Sequence, residues 1–119
     1  MFILENENLI LNESKKFALR IVKLYQYLTE QKREFILSKQ LMRSGTSIGA
    51  NVREATQAQS RPDFISKMQI ALKEASESEY WLELLHESNY ISDTEFESLY
   101  SDCNRINRIL ISIVKTSKK

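Results

Sequence analysis

The 119-residue chain has very few of the residues that interrupt or crosslink a backbone. It contains two glycines, one proline and one cysteine. Sheets joined by tight turns use more glycine and proline, so this scarcity favours long helices. The single Cys103 excludes an internal disulfide and a cysteine-based metal site. It also indicates a reducing, cytoplasmic setting.

The chain also lacks a charge excess and a long apolar run. Its 17 Lys and Arg residues are nearly balanced by 16 Asp and Glu residues, which gives a formal net charge of +1. Nucleic-acid binding therefore cannot be argued from overall charge and depends on local clustering. Apolar runs are only a few residues long, so no segment predicts a membrane span. The first residues lack the basic start of a signal peptide, and we expect none.

A helical pattern is present four times. The pattern and the polar breaks between its repeats predict helices over about 12–28, 34–59, 61–88 and 93–117. Residues 1–11 are predicted to form an N-terminal tail that packs on the helices. Short connections between long helices are typical of an antiparallel bundle. We therefore predict an all-α fold, an up-down-up-down four-helix bundle that forms one domain over residues 12–119.

Each predicted helix has one apolar face. Apolar residues recur at intervals of three and four, the spacing that places side chains on one side of a helix. Ser44 or Gly45 fills a gap in the face of the second helix. The predicted core residues are Phe17, Ile21, Leu24 and Leu28; Leu37, Leu41, Ile48, Val52 and Ala55; Phe64, Met68, Ala71, Ala75, Ser78, Leu82 and Leu85; and Phe96, Leu99, Cys103, Ile106, Leu110 and Ile113.

No arrangement of residues predicts catalysis or metal binding. A di-iron bundle needs two Glu-x-x-His pairs and two further glutamates. Glu83 and His86 form one such pair, and His86 is the only histidine of the chain. No serine has a histidine placed to act as its base, and the two glycines do not form a phosphate-binding loop. We therefore expect a non-enzymatic protein with no metal and no cofactor.

Both glycines lie one turn apart in the second helix, beside a row of polar residues. A glycine inside a helix costs about 1 kcal/mol relative to alanine, so this pair indicates a close approach by another group. That group could be Trp81 or a neighbouring subunit. The alternatives are a crossing within the chain, with an exposed polar face, and an oligomer interface. The candidate interface residues are Arg43, Gly45, Ser47, Gly49, Asn51, Glu54 and Trp81.

Charge is distributed unevenly along the predicted bundle. Between Glu74 and Asp102 there are nine acidic residues and no Lys or Arg. In an antiparallel bundle most of this run lies at one end, while basic residues collect at the other. Two interpretations follow: solvated helix faces, or a basic end that meets phosphate or an acidic partner. The candidate nucleic-acid-binding residues are Lys15, Lys16, Arg20, Arg53, Arg61, Lys67, Arg108, Lys115, Lys118 and Lys119.

The segment from Gln40 to Ala55 resembles the hallmark of a known family, the four-helix bundle proteins encoded in intervening sequences of bacterial 23S ribosomal RNA genes. Phe64 and the segment from Ala71 to Leu82 resemble a branch of the same family. The commonest form has glycine where this chain has Ala55, which suits continuation of the helix. The resemblance covers nearly the whole chain. The family is similar in fold to the accessory proteins of diversity-generating retroelements.

The resemblance implies a homo-oligomer, typically a barrel-like pentamer. The retroelement proteins are strongly basic and bind nucleic acid and a reverse transcriptase, but this chain lacks their charge excess. We expect a self-associating binding or scaffold module, with RNA or a nucleic-acid-processing protein as its partner. The alternative is direct RNA binding by the basic end. We expect no membrane association.

Overall fold

A computed structural model describes the backbone of residues 2–119 and the side chains from Glu7 onward. Four α-helices make up the fold: α1 (Phe2–Glu30), α2 (Leu37–Ala55), α3 (Arg61–Glu87) and α4 (Asp93–Ser117). Each helix packs against its neighbours in sequence, and α4 also packs against α1. The result is an up-down-up-down bundle of about 45 × 22 × 18 Å, with no strand in the described part of the chain. The predicted fold class is confirmed.

The start of the first helix was predicted wrongly. The prediction placed it near Asn12 or Ser14 after a tail of residues 1–11, whereas α1 begins at Phe2. Ile10 is 0% exposed and belongs to the core. The polar stretch before Leu9 interrupts the apolar pattern, and asparagine favours caps over helix interiors. Met1 lies outside the described residues.

The second helix is shorter than predicted at both ends: it ends at Ala55 rather than Gln59, and Glu34, which was expected to begin it, is a cap instead. Glu34 is 7% exposed, and its carboxylate accepts hydrogen bonds from the backbone N–H groups of Ile36, Leu37 and Ser38 at 3.1, 2.9 and 2.7 Å. Arg33, just before it, has a positive φ of 55°. This backbone reversal points the Glu34 carboxylate at the first turn of α2.

The starts of α3 and α4 confirm the predicted capping signals. The hydroxyl of Ser60 accepts a hydrogen bond from the backbone N–H of Asp63 at 3.2 Å. The hydroxyl of Ser92 accepts one from the N–H of Glu95 at 3.1 Å. In both cases a serine satisfies one of the free N–H groups of the first turn.

The predicted core faces are buried, with Leu37, Phe64 and Phe96 partly so. Small residues occupy the centre of the bundle, where Ser44 and Gly45 are both buried. The hydroxyls of Ser44 and Ser78 lie 2.8 Å apart and join α2 to α3. The Cys103 thiol donates to the carbonyl of Ala75 at 3.2 Å and joins α4 to α3. Among the described helices, none is both long and apolar enough to cross a membrane.

Candidate functional site

The close approach at the glycine pair comes from α1 of the same chain. A Cβ atom at Gly45 would lie 2.9 Å from Cγ1 of Ile21, and one at Gly49 would lie 3.4 Å from Oγ of Ser14. Neither Trp81 nor a neighbouring subunit is needed to explain the absence of side chains here. Of the two alternatives, the structure favours a crossing of α1 and α2 within the chain at this glycine pair.

The charged ends of the polar row also contact their own chain. Arg43 is paired with Glu74 at 3.2 Å and, more closely, with Glu77. Glu54, at the other end of the row, lies 3.4 Å from Nζ of Lys67. Both contacts join α2 to α3. They stabilise the packing of these two helices and leave the Arg43 side chain about half exposed, at 49%.

The middle of the polar row bonds to its own helix. The Ser47 hydroxyl donates to the carbonyl of Arg43 at 2.6 Å, and the Asn51 amide donates to the carbonyl of Ser47 at 2.9 Å. These are backbone contacts one turn apart. The row is therefore not a network of side chains that awaits a partner.

Trp81 lies on the α3 side of this surface. Its indole N–H donates to the carboxylate of Glu77 at 2.9 Å, and its ring packs edge-on against Tyr80 with centroids 5.1 Å apart. The Glu77 carboxylate thus accepts hydrogen bonds from both Trp81 and Arg43. Of the seven candidate interface residues, the structure joins Arg43 to Trp81 through Glu77 and assigns the glycines to the α1 crossing.

The ten candidate basic residues do not form one surface. Arg20 belongs with the acidic run, because its guanidinium lies 2.7 Å from Asp102 and 3.7 Å from Glu95. The prediction that placed Arg20 at the basic end is corrected accordingly. Lys67 is paired with Glu54. Arg61 donates to the main-chain oxygen of Lys119 at 3.2 Å and so ties the start of α3 to the end of α4.

Two of the candidates flank a shallow cleft between α1 and α2. Lys15 and Arg53 are exposed and line a space of about 310 Å³. Its remaining walls are mostly small residues, including Ala18, Gly49 and Ala50. The side of α2 that carries Gly49 therefore lines this cleft beside two cations. A Cβ atom at Gly49 would meet Ser14.

A second group of cations lies on the C-terminal half of α4 and just beyond its end. Arg108 and Lys115 on the helix and Lys119 after it are exposed, and none is paired with a carboxylate among the described side chains. Arg105 is exposed on the same helix and lies 3.3 Å from Glu13. Arg105 was not among the predicted basic residues, although its spacing of three from Arg108 could have revealed it.

The acidic end is internally bonded. The Tyr100 hydroxyl donates a hydrogen bond to Glu83 at 2.8 Å. This bond raises the pKa of Tyr100 to about 12. The Asn107 amide donates to Glu79 at 2.8 Å. His86 contacts Asp93 at 2.7 Å and stacks on Phe96. Glu83 and His86, the one Glu-x-x-His pair, thus contact different partners.

Residues 7–119 contain no cluster of three acidic, histidine or cysteine side chains that could hold a metal ion. Cys103 is buried, and burial raises the pKa of its thiol. A thiol in this state is protonated at neutral pH and is a poor nucleophile.

Comparisons with known proteins find matches over most of the chain. The model of a family described as 23S rRNA-intervening sequence protein matches residues 6–112. A crystal structure of a protein of unknown function from the S23 ribosomal protein family of Bacteroides thetaiotaomicron is 56% identical, with a TM-score of 0.91. The match covers 92% of this chain and 98% of the other. No curated protein matches. The resemblance seen in the Gln40–Ala55 segment is confirmed, and the chain belongs to the 23S rRNA-intervening sequence protein family.

Proposed function

We propose that the protein is a non-enzymatic, self-associating binding module whose ligand is RNA, held at the basic end of the bundle. That end comprises the N-terminal half of α1, the end of α2, the start of α3 and the end of α4. RNA is the ligand class that fits a local excess of cations on a chain whose overall charge is near zero.

One observation carries this proposal: several exposed cations of this end have no ion pair, whereas Glu13, Glu54 and Asp63 are engaged. Glu13 lies 3.3 Å from Arg105, Glu54 lies 3.4 Å from Lys67, and the Asp63 carboxylate accepts a hydrogen bond from the backbone N–H of Gln59 at 3.2 Å. At this end, the exposed cations without an ion pair among the described side chains are Lys15, Arg53, Arg61, Arg108, Lys115, Lys118 and Lys119. Arg61 donates a hydrogen bond to the main-chain oxygen of Lys119. Free cations at this density attract a polyanion.

Self-association is proposed from the family resemblance, which implies a homopentamer. The contact must use residues other than Gly45 and Gly49, because α1 covers that edge of α2. The outer faces of α1 and α4 offer Leu19 and Ile111, which are 56% and 40% exposed. Light scattering on the purified protein tests this part, and a monomer at micromolar concentration contradicts it.

Fluorescence anisotropy with a labelled RNA duplex tests the binding. We expect binding at about 50 mM salt that weakens steeply toward about 200 mM, because phosphate contacts release counterions. A matched measurement with a neutral peptide nucleic acid of the same sequence is the control and should show no binding. No RNA binding at the lower salt concentration, or affinity independent of salt, contradicts the proposed function.

A further inference from the structure

The C-terminal half of α4 and the two residues after it form the most one-sided basic segment of the chain. From Asn104 to Lys119 there are five Lys or Arg residues and no Asp or Glu. The helix runs without a break to Ser117. It therefore carries Arg105, Arg108 and Lys115 on one continuous support, and Lys118 and Lys119 follow directly after it.

Helical geometry places two of these cations in a row, and a third follows the end of the helix. At about 100° per residue, Arg108 and Lys115 fall within about 20° of one another around the helix axis. At a rise of about 1.5 Å per residue they are about 10 Å apart along the axis, and Lys119 lies two residues beyond the end of α4 at Ser117. All three are exposed. We call these three cations, with Arg105 on their edge, the α4 basic face.

The core side of α4 is turned away from this row. Ile106, Leu110 and Ile113 are buried against the rest of the bundle. Ser112, between Arg108 and Lys115, is exposed and uncharged. The row can therefore meet a partner without any change in the packing of the bundle.

The chemistry of the face matches a backbone rather than bases. Arginine and lysine bind phosphate, whereas single-stranded bases are held by stacking on exposed aromatic rings. The most exposed aromatic side chains, Tyr27, Phe35 and Tyr80, lie on other elements. Phe96 and Tyr100 are in the N-terminal half of α4 and pack against the core.

We infer that the α4 basic face is the RNA contact, and that it holds the phosphate backbone without reading the base sequence. This inference rests on the proposed function, and it selects one surface among the cations of the basic end. Cations spaced along one helix face and its end complement the regular charges of a nucleic-acid strand. The cleft beside Lys15 and Arg53 is the competing surface.

Two triple variants with equal charge loss separate these surfaces. The test variant is Arg108→Gln, Lys115→Gln and Lys119→Gln, and the control is Arg53→Gln, Lys15→Gln and Lys23→Gln. All six positions are exposed, and glutamine is a good helix former. Circular dichroism and light scattering on both variants verify that fold and assembly are retained.

We expect the test variant to bind an RNA duplex at least about 10-fold more weakly than the control at moderate salt. The slope of log affinity against log salt should fall by about 3 in magnitude, at about 0.9 for each lost phosphate contact. The single variant Arg108→Gln should reduce the slope by about 1. Duplexes of unrelated sequence should bind the unchanged protein within about threefold of each other, because phosphate contacts carry no sequence information.

Each contrary result has a distinct meaning. If the control loses affinity and the test variant does not, the inference is overturned while RNA binding by the basic end stands. If the unchanged protein binds no RNA, the proposed function fails and the inference fails with it. If polyglutamate displaces the duplex as well as unlabelled RNA of equal charge does, the face suits an acidic protein and the inference is overturned.

Discussion

The side chain of Ile21 occupies the space that a side chain at Gly45 would need. A Cβ atom there would lie 2.9 Å from Cγ1 and 3.1 Å from Cγ2 of Ile21, which is itself buried in the core. We expect Gly45→Ala to lower the free energy of unfolding by about 1–3 kcal/mol, because overpacking outweighs the gain in helix propensity. Urea denaturation measures the change. A variant as stable as the unchanged protein contradicts this account of the crossing.

Gly49 supplies the matched control, because a Cβ atom there would meet Oγ of Ser14 at 3.4 Å, an ordinary contact. Gly49→Ala should therefore raise the free energy of unfolding by up to about 1 kcal/mol through helix propensity. The same denaturation series checks it. A loss comparable to that of Gly45→Ala would mean that α1 lies closer to Gly49 than the structure places it.

Glu34 should be the most important single residue of the α1–α2 connection. Its carboxylate accepts three backbone hydrogen bonds at the start of α2. Glu34→Ala should cost about 1–2 kcal/mol, the range for loss of a helix cap. Thermal unfolding measures the loss, and Glu30→Ala on the exposed end of α1 is the control. An effect no larger than that of the control contradicts the capping role.

The same carboxylate should make stability depend on pH in the acid range. Burial alone would raise the pKa of Glu34, but its backbone hydrogen bonds outweigh burial and hold the pKa below its ordinary value of 4.5. The folded state therefore binds the proton less readily than the unfolded state. The stabilisation is complete above pH 4.5 and is lost as the pH falls through the folded-state pKa. Glu34→Gln should remove this component from a plot of unfolding free energy against pH.

Tyr100 should titrate at unusually high pH. The hydrogen bond to Glu83 raises its pKa to about 12, against an ordinary value of 10.0. Because the neutral phenol is favoured in the folded state, its stabilisation is present below pH 10 and is lost as the pH rises toward 12. The absorbance difference between the unchanged protein and Tyr100→Phe isolates this phenol from the other tyrosines. Glu83→Gln should move its titration back toward the ordinary value.

Cys103 should be unreactive until the protein unfolds. Burial raises the pKa of the thiol, and the thiol donates a hydrogen bond to the carbonyl of Ala75. We expect a thiol-specific reagent at neutral pH to modify the native protein at least about 10-fold more slowly than the urea-unfolded chain. Equal rates would place Cys103 at the surface and contradict its position in the core.

The presence of four helices and their core faces could be predicted because they depend on spacing along the chain, but the start of α1 and both ends of α2 could not. The serine caps at Ser60 and Ser92 are equally local, since each bonds a residue three positions on. Glu34 was missed because its capping role depends on the backbone reversal at Arg33, which has a positive φ without being glycine. No spacing rule predicts that conformation.

The partners of surface charges could not be predicted, because they depend on how the helices are rotated against one another. Arg20 lies in the N-terminal two-thirds of α1 but reaches Asp102 and Glu95 on α4. Arg43 finds its carboxylates 31 and 34 positions away on α3. The glycine pair was correctly interpreted as a close approach, but its spacing does not say which helix approaches.

The order of the helices around the bundle has a consequence for how the chain folds. Three of the four packed pairs join consecutive helices, and only α1 with α4 joins distant parts of the sequence. The successive helical hairpins need little loop closure, whereas docking α4 onto α1 closes a loop of nearly the whole chain. We therefore expect the seam between these two helices to form last. Native-state hydrogen exchange should then show the earliest opening along α1 and α4.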